Sequence, residues 1–205
     1  MEFTFFLRGL MIGFSIAAPV GPIGVLCIRR TLAEGRLSGL VSGLGAASAD
    51  AIYGAIAGFG LTFISNFMVS QQFWLRLVGG GFLCYLGIRT LVAKPSGEAA
   101  RTRGKGLAGV YASTFLLTIT NPITILSFAA IFAGLGLARA GAGYASAGIL
   151  VLGVFLGSAG WWLMLSGGVS LFREKFNARG MIWVNRISGV VIIGFGLYAI
   201  FSAVF

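Results

Sequence analysis

The chain has 205 residues, 58% of them hydrophobic and only 10% charged, with a mean hydropathy of +0.97. A soluble domain carries about a quarter charged residues, so this composition excludes one and indicates an integral membrane protein with room for about six helices. The net charge of +10 does not indicate nucleic-acid binding, because the basic residues fall between apolar spans, where they set topology and meet anionic lipid.

The first predicted span covers 5–28 and contains Ala18-Pro19-Val20-Gly21-Pro22 at its middle. Each proline removes a backbone donor and disfavours helix in the residue before it. Lipid supplies no replacement hydrogen bonds, so such a break persists only against protein or a hydrated cavity. The run lacks a basic cluster before it and ends in Arg29-Arg30, so it is read as retained rather than as a cleaved signal. A basic loop from Arg29 to Ser38 leads to span two, 39–64, which contains Asp50. Span three, 73–93, has an arginine towards each end (Arg76, Arg89) and relies on long side chains reaching the interfaces.

Residues 94–105 are polar, basic and Pro/Gly-bearing, and read as a flexible cytoplasmic linker. Span four, 106–137, carries Thr120-Asn121-Pro122 at its middle; spans five and six cover 144–172 and 181–205. Lysine and arginine concentrate in the loops one–two, three–four and five–six, leaving Arg8, Arg76 and Arg139 on the other side. The basic loops are therefore expected in the cytoplasm and both termini in the periplasm. The expected fold is all-α: six transmembrane helices in two inverted three-helix halves, 1–93 and 106–205, with proline-broken helices one and four. Paired broken helices meeting at the bilayer midplane are the transporter pattern.

Asp50 is the carboxylate deep inside a span, and even on lenient scales that placement costs at least ~2.5 kcal/mol. Ala46, Ala47, Tyr53 and Gly54 share its helix face, with Tyr53 as a candidate hydroxyl partner. Two roles compete for Asp50: countercharge to a cationic substrate group, or a site that takes up and releases a proton. A structural pairing with arginine is the plain alternative. The half-helix after Pro22 offers free amides with a partial positive charge, suited to a carboxylate. Asn121, beside Pro122, offers donor and acceptor in the other half. The candidate substrate-binding residues are therefore Pro19, Gly21, Pro22, Asp50, Tyr53, Asn121, Pro122 and, as a pocket wall, Trp162. Prolines also kink helices without function, and aromatic residues such as Trp162 commonly only anchor or pack.

There is no histidine, and Cys27 and Cys84 lie far apart, so neither a metal site nor a cofactor is expected, and nothing supports covalent catalysis. The series Gly39-x3-Gly43-x3-Ala47 and Gly153-x3-Gly157 signal close helix packing within the bundle or, alternatively, a homodimer face.

Ala18-Pro19-Val20-Gly21-Pro22, Cys27-Ile28-Arg29-Arg30-Thr31-Leu32, Gly35-Arg36, Tyr85-Leu86-Gly87-Ile88-Arg89 and Thr120-Asn121-Pro122 together resemble the LysE/RhtB family of small bacterial amino-acid exporters. The resemblance covers essentially the whole chain. It implies proton-motive-force-driven export of an amino acid or analogue across the inner membrane, with importance for Pro19, Gly21, Pro22, Asp50, Asn121 and Pro122. Many members have Pro-Gly-Pro where this chain has the spaced Pro19-Val20-Gly21-Pro22. Two other readings use the same fold. One is an ion exporter or channel: one carboxylate and no histidine make a poor cation site, while an amide-lined anion pathway stays open. A thiol–disulfide electron carrier requires a cysteine at each break, and Cys27 lies beyond Pro22 while none lies near Pro122.

Overall fold

A computed structural model describes residues 2–19, 21–59, 70–93, 106–121, 124–128, 144–173 and 178–204. Pro122, the linker 94–105, and the expected ends of span two (60–64) and span four (129–137) lie outside the described residues. Seven helices of the described residues are α1 (Glu2–Ala17), α2 (Pro22–Glu34), α3 (Arg36–Gly58), α4 (Gln72–Leu91), α5 (Leu107–Ile119), α6 (Tyr144–Ser170) and α7 (Ala178–Val204). Residues 124–128 are also helical, and no strand occurs among the described residues.

The protein is an all-α membrane protein. Three helices, α3, α6 and α7, are long and apolar enough to cross a bilayer alone, and α1 with α2 makes a fourth crossing if the bent pair is one unit. Large apolar side chains stand exposed along them, such as Leu152, Leu156 and Leu163 on α6 and Val190, Leu197 and Phe201 on α7. Such surface suits hydrocarbon rather than water.

Proline chemistry explains the bend. The last α1 bond runs from the Ala18 N–H to the Phe14 carbonyl at 2.9 Å, and Pro19, having no N–H, leaves the Ser15 carbonyl without its helical donor. The Gly21 N–H then turns back to the Pro19 carbonyl at 2.9 Å. Helix restarts at Pro22, in the first-turn position where a missing N–H costs nothing, and α2 leaves at 79° to α1.

The basic stretch 29–38 is helical instead of a loop. Helix α2 continues to Glu34 and α3 begins at Arg36, so the whole connection is Gly35. Gly35 sits at φ 105°, a conformation that side chains disfavour, and its N–H caps the Thr31 carbonyl at 3.1 Å. One glycine thus replaces the expected loop.

Helix α2 is the centre of the bundle, touching α3, α6 and α7. Its Ile23, Leu26 and Cys27 join Ala46 and Ala47 of α3, Leu117 of α5, Trp162 of α6 and Ile192 of α7 in one buried cluster. The two small-residue series both pack inside the chain. A methyl on Gly153 would stand 3.0 Å from the Cα of Gly9 on α1, and one on Gly43 would enter the Trp162 side chain. Backbone approach of this kind is what small residues permit in membrane bundles.

Candidate functional site

The second helix break is built differently. Helix α5 ends as the Thr120 N–H bonds to the Leu116 carbonyl at 3.1 Å and the Asn121 N–H to the Thr118 carbonyl at 3.1 Å. The Asn121 carbonyl then accepts from the Ile125 N–H at 3.2 Å, starting the short helix 124–128. Asn121 therefore closes one helix and opens the next. The carbonyl of Ile119, at the end of α5, takes a hydrogen bond from the Tyr53 hydroxyl of α3.

Both breaks face one cavity of about 330 Å³. Pro19, Gly21 and Pro22 line it from the first break, Asn121 and Thr124 from the second, Asp50 from α3 and Trp162 from α6. Its volume sits at the low end of the ~300–1,000 Å³ typical of small-molecule sites. Asp50 is the one charged side chain among the described lining residues; Ser15, Thr118 and Ser127 add hydroxyls.

Asp50 is only 3% exposed and is held by a relay on α6. The Ser158 hydroxyl donates to Asp50 Oδ2 at 2.7 Å, and the Trp162 indole N–H donates to Ser158 Oγ at 3.2 Å. Ser158 is fully buried, and both α6 residues lie one helical turn apart. Among the described residues Oδ1 has no protein partner, which leaves it for the cavity. At the start of α2, Gly21 has no side chain to cap the helix and Pro22 has no N–H, so the first free donors are the amides of Ile23 and Gly24. Both residues line the cavity. The site therefore presents an oriented carboxylate and, in the same cavity, the positive end of a helix.

Of the sequence-derived candidates, Pro19, Gly21, Pro22, Asp50, Asn121 and Trp162 come together around this cavity. Tyr53 is not among the lining residues: it is buried against Phe128, with ring centroids 5.4 Å apart, and secures the end of α5. Pro122 lies outside the described residues.

Two features escape a sequence reading. A serine within a glycine-rich span gives no signal of its own, and only its spacing four before Trp162 hints at Ser158. Arg30, expected in a loop near lipid, is 7% exposed. Its Nη1 donates to Ser42 Oγ (2.8 Å), Thr114 Oγ1 (2.7 Å) and the Val110 carbonyl (3.1 Å), and its Nη2 to Ser113 Oγ (2.8 Å). No carboxylate pairs with it among the described residues. Ser42 precedes the cavity residue Ala46 by one turn, and Thr114 precedes Thr118 by one turn. The Arg30 network thus ties α2, α3 and α5 together one turn beyond the cavity, on the side of the Gly35 connection.

Comparison with known proteins places the chain in a family. The chain is 31% identical over 199 residues to the "Putative amino acid efflux protein YcgF" of Bacillus subtilis (strain 168), covering 94% of this chain and 93% of that protein. It is 25% identical to the "Uncharacterized membrane protein slr1627" of Synechocystis sp., over 92% of each chain. It is 26% identical to the "Uncharacterized membrane protein YahN" of Escherichia coli (strain K12), over 86% of this chain and 80% of that one. No solved structure matches. The family model described as LysE type translocator matches residues 14–203, and the chain belongs to that family of membrane transporters, which are not enzymes.

Proposed function

We propose that this translocator is a secondary active exporter that moves amino acids or close analogues out of the cell across the inner membrane, driven by the proton motive force. The carrying observation is the meeting of two broken helices and Asp50 around one cavity. In this reading the substrate carboxylate binds the α2 amides of Ile23 and Gly24, while its ammonium group, or the coupling proton, occupies Asp50 Oδ1. Asn121 supplies neutral hydrogen bonds, Trp162 forms an apolar wall, and Pro122 keeps the second break open. The name of the Bacillus subtilis relative, which speaks of amino acid efflux, supports the substrate class.

The accompanying topology is six spans in two inverted halves, 1–93 and 106–205, joined by a cytoplasmic linker at 94–105, with both termini periplasmic. It is supported by the bias of basic residues towards alternate connections and by the presence of one break in each half. Anionic lipid headgroups are the expected partners of the exposed basic residues on the cytoplasmic side, and a homodimer is compatible with the exposed apolar faces.

A substrate screen tests the reading. Purified protein in proteoliposomes would be assayed by counterflow against the twenty amino acids plus homoserine, wild type beside Asp50→Asn. A substrate carried by wild type and lost in the variant is the expected result. A blank from folded wild-type protein would replace amino acids with ions or unusual analogues.

A further inference from the structure

A second, smaller cavity of about 150 Å³ adjoins the first and is not explained by a single central site. The two share three wall residues, Pro22, Asn121 and Phe195, so one residue from each helix break and one ring from α7 separate them. The smaller cavity lies between α4, α7 and the second break, lined mostly by apolar or small residues such as Gly79, Gly80 and Leu83. Among the described residues its one charged lining residue is Arg76.

The electrostatics of the two cavities are opposite. Asp50 gives the central one an acidic group, whereas Arg76 gives the second a basic one. The Arg76 guanidinium carries five N–H donors, and among the described residues it bonds to neutral acceptors: Nη1 to the Ser202 carbonyl at 2.5 Å and Nη2 to Gln72 Oε1 at 3.3 Å. Among the described residues no carboxylate pairs with it. A half-buried guanidinium with donors left over among the described residues, lining a cavity of otherwise uncharged described residues, is suited to a planar anion that it can grip with two bonds.

Position strengthens the case. Arg76 is in the first turns of α4 and Ser202 near the end of α7, the end of the bundle away from the Gly35 connection and the Arg30 network. A substrate whose carboxylate rests on the α2 amides beside Pro22 has that carboxylate next to the wall the cavities share. Movement carboxylate-first past Pro22, Asn121 and Phe195 would bring it to Arg76.

We infer that the cavity beside Arg76 is a second substrate subsite on the way out, in which the guanidinium receives the carboxylate of an amino acid leaving the Asp50 cavity. This deepens the exporter reading and rests on it. The subsite gives the outward step a destination: the carboxylate exchanges helix amides for a full positive charge as the ammonium leaves Asp50. It also selects for substrates that possess a carboxylate.

The test compares wild type, Arg76→Gln and Arg76→Lys in proteoliposomes, using the amino acid identified by the counterflow screen and its carboxamide as probes. Arg76→Gln is expected to raise KM for the amino acid, added on the Arg76 side, by about tenfold or more, the loss of one charge-assisted bond. The carboxamide should be unaffected, and Arg76→Lys should fall between. If Arg76→Gln does not fold, Arg76→Lys carries the same comparison, since it keeps the charge but loses the fork. An unchanged KM, or equal losses for acid and amide, would overturn the subsite. So would a defect present in phosphatidylglycerol-containing vesicles and absent in pure phosphatidylcholine, because Arg76 would then serve a lipid headgroup. If wild type carries none of the panel, the amino-acid reading itself fails, and this inference with it.

Discussion

Ser158 on α6 donates its hydroxyl proton to Asp50 Oδ2 on α3 at 2.7 Å, inside a bundle where both side chains are nearly sealed from the surface. That bond fixes which oxygen faces the protein and which faces the cavity. Ser158→Ala should therefore keep the fold yet let the carboxylate wander. A hydrogen bond to a charged group is worth about 1.5–3 kcal/mol, so substrate affinity in equilibrium binding should fall about 10- to 100-fold. Unchanged affinity would mean that Asp50 is positioned by something other than the serine.

Trp162→Phe removes the next donor in the relay but keeps the ring that walls the cavity. Ser158 retains its bond to Asp50, so the effect should be smaller than that of Ser158→Ala, about 1 kcal/mol or less. An effect larger than that of the serine variant would give the indole N–H a direct part in binding.

Tyr53 holds the Ile119 carbonyl where α5 stops, one turn along α3 from Asp50. Tyr53→Phe should lower turnover while leaving KM unchanged, because the end of α5 loses its tether and the lining residues stay. Initial-rate measurements across substrate concentration separate the two; a pure KM effect would place Tyr53 in the binding step.

Arg30 is buried with hydroxyl and carbonyl partners in place of a carboxylate. Thr114→Val deletes its shortest bond, at 2.7 Å, and should destabilise the protein by about 1.5–3 kcal/mol. A lower thermal midpoint in detergent would show it. No shift would mean that Arg30 gains a replacement acceptor.

Gly157 sits where α6 crosses α1, and a methyl there would stand 2.9 Å from the Leu10 carbonyl carbon and 3.0 Å from its Cα. Gly157→Ala should cost about 1–3 kcal/mol through forced separation of the helices. Gly160→Ala is the matched control, because nothing lies within 4 Å of its added methyl. Equal midpoints for the two variants would show that α1 can shift freely.

The breaks were legible in the sequence because proline chemistry is local: Pro19 and Pro22 end and restart helix whatever surrounds them. Asp50 was legible for a related reason, since a carboxylate amid apolar residues has a cost that requires some compensation. The helix boundaries near Arg29 to Ser38 were not legible. Charge suggested a loop, but Gly35 turns the chain in a single residue, and Arg30 finds its acceptors on α3 and α5, far away in the chain.

Composition, proline positions and one buried carboxylate therefore determined that this is a helical membrane protein with interrupted helices and a polar point inside it. Only the tertiary structure decided that Pro19, Pro22, Asn121, Asp50 and Trp162 share one cavity, and that Tyr53 supports its wall without lining it. The reason is physical. Backbone strain and the desolvation of a charge are properties of short segments, whereas the partners that relieve them come from helices whose packing depends on the whole bundle.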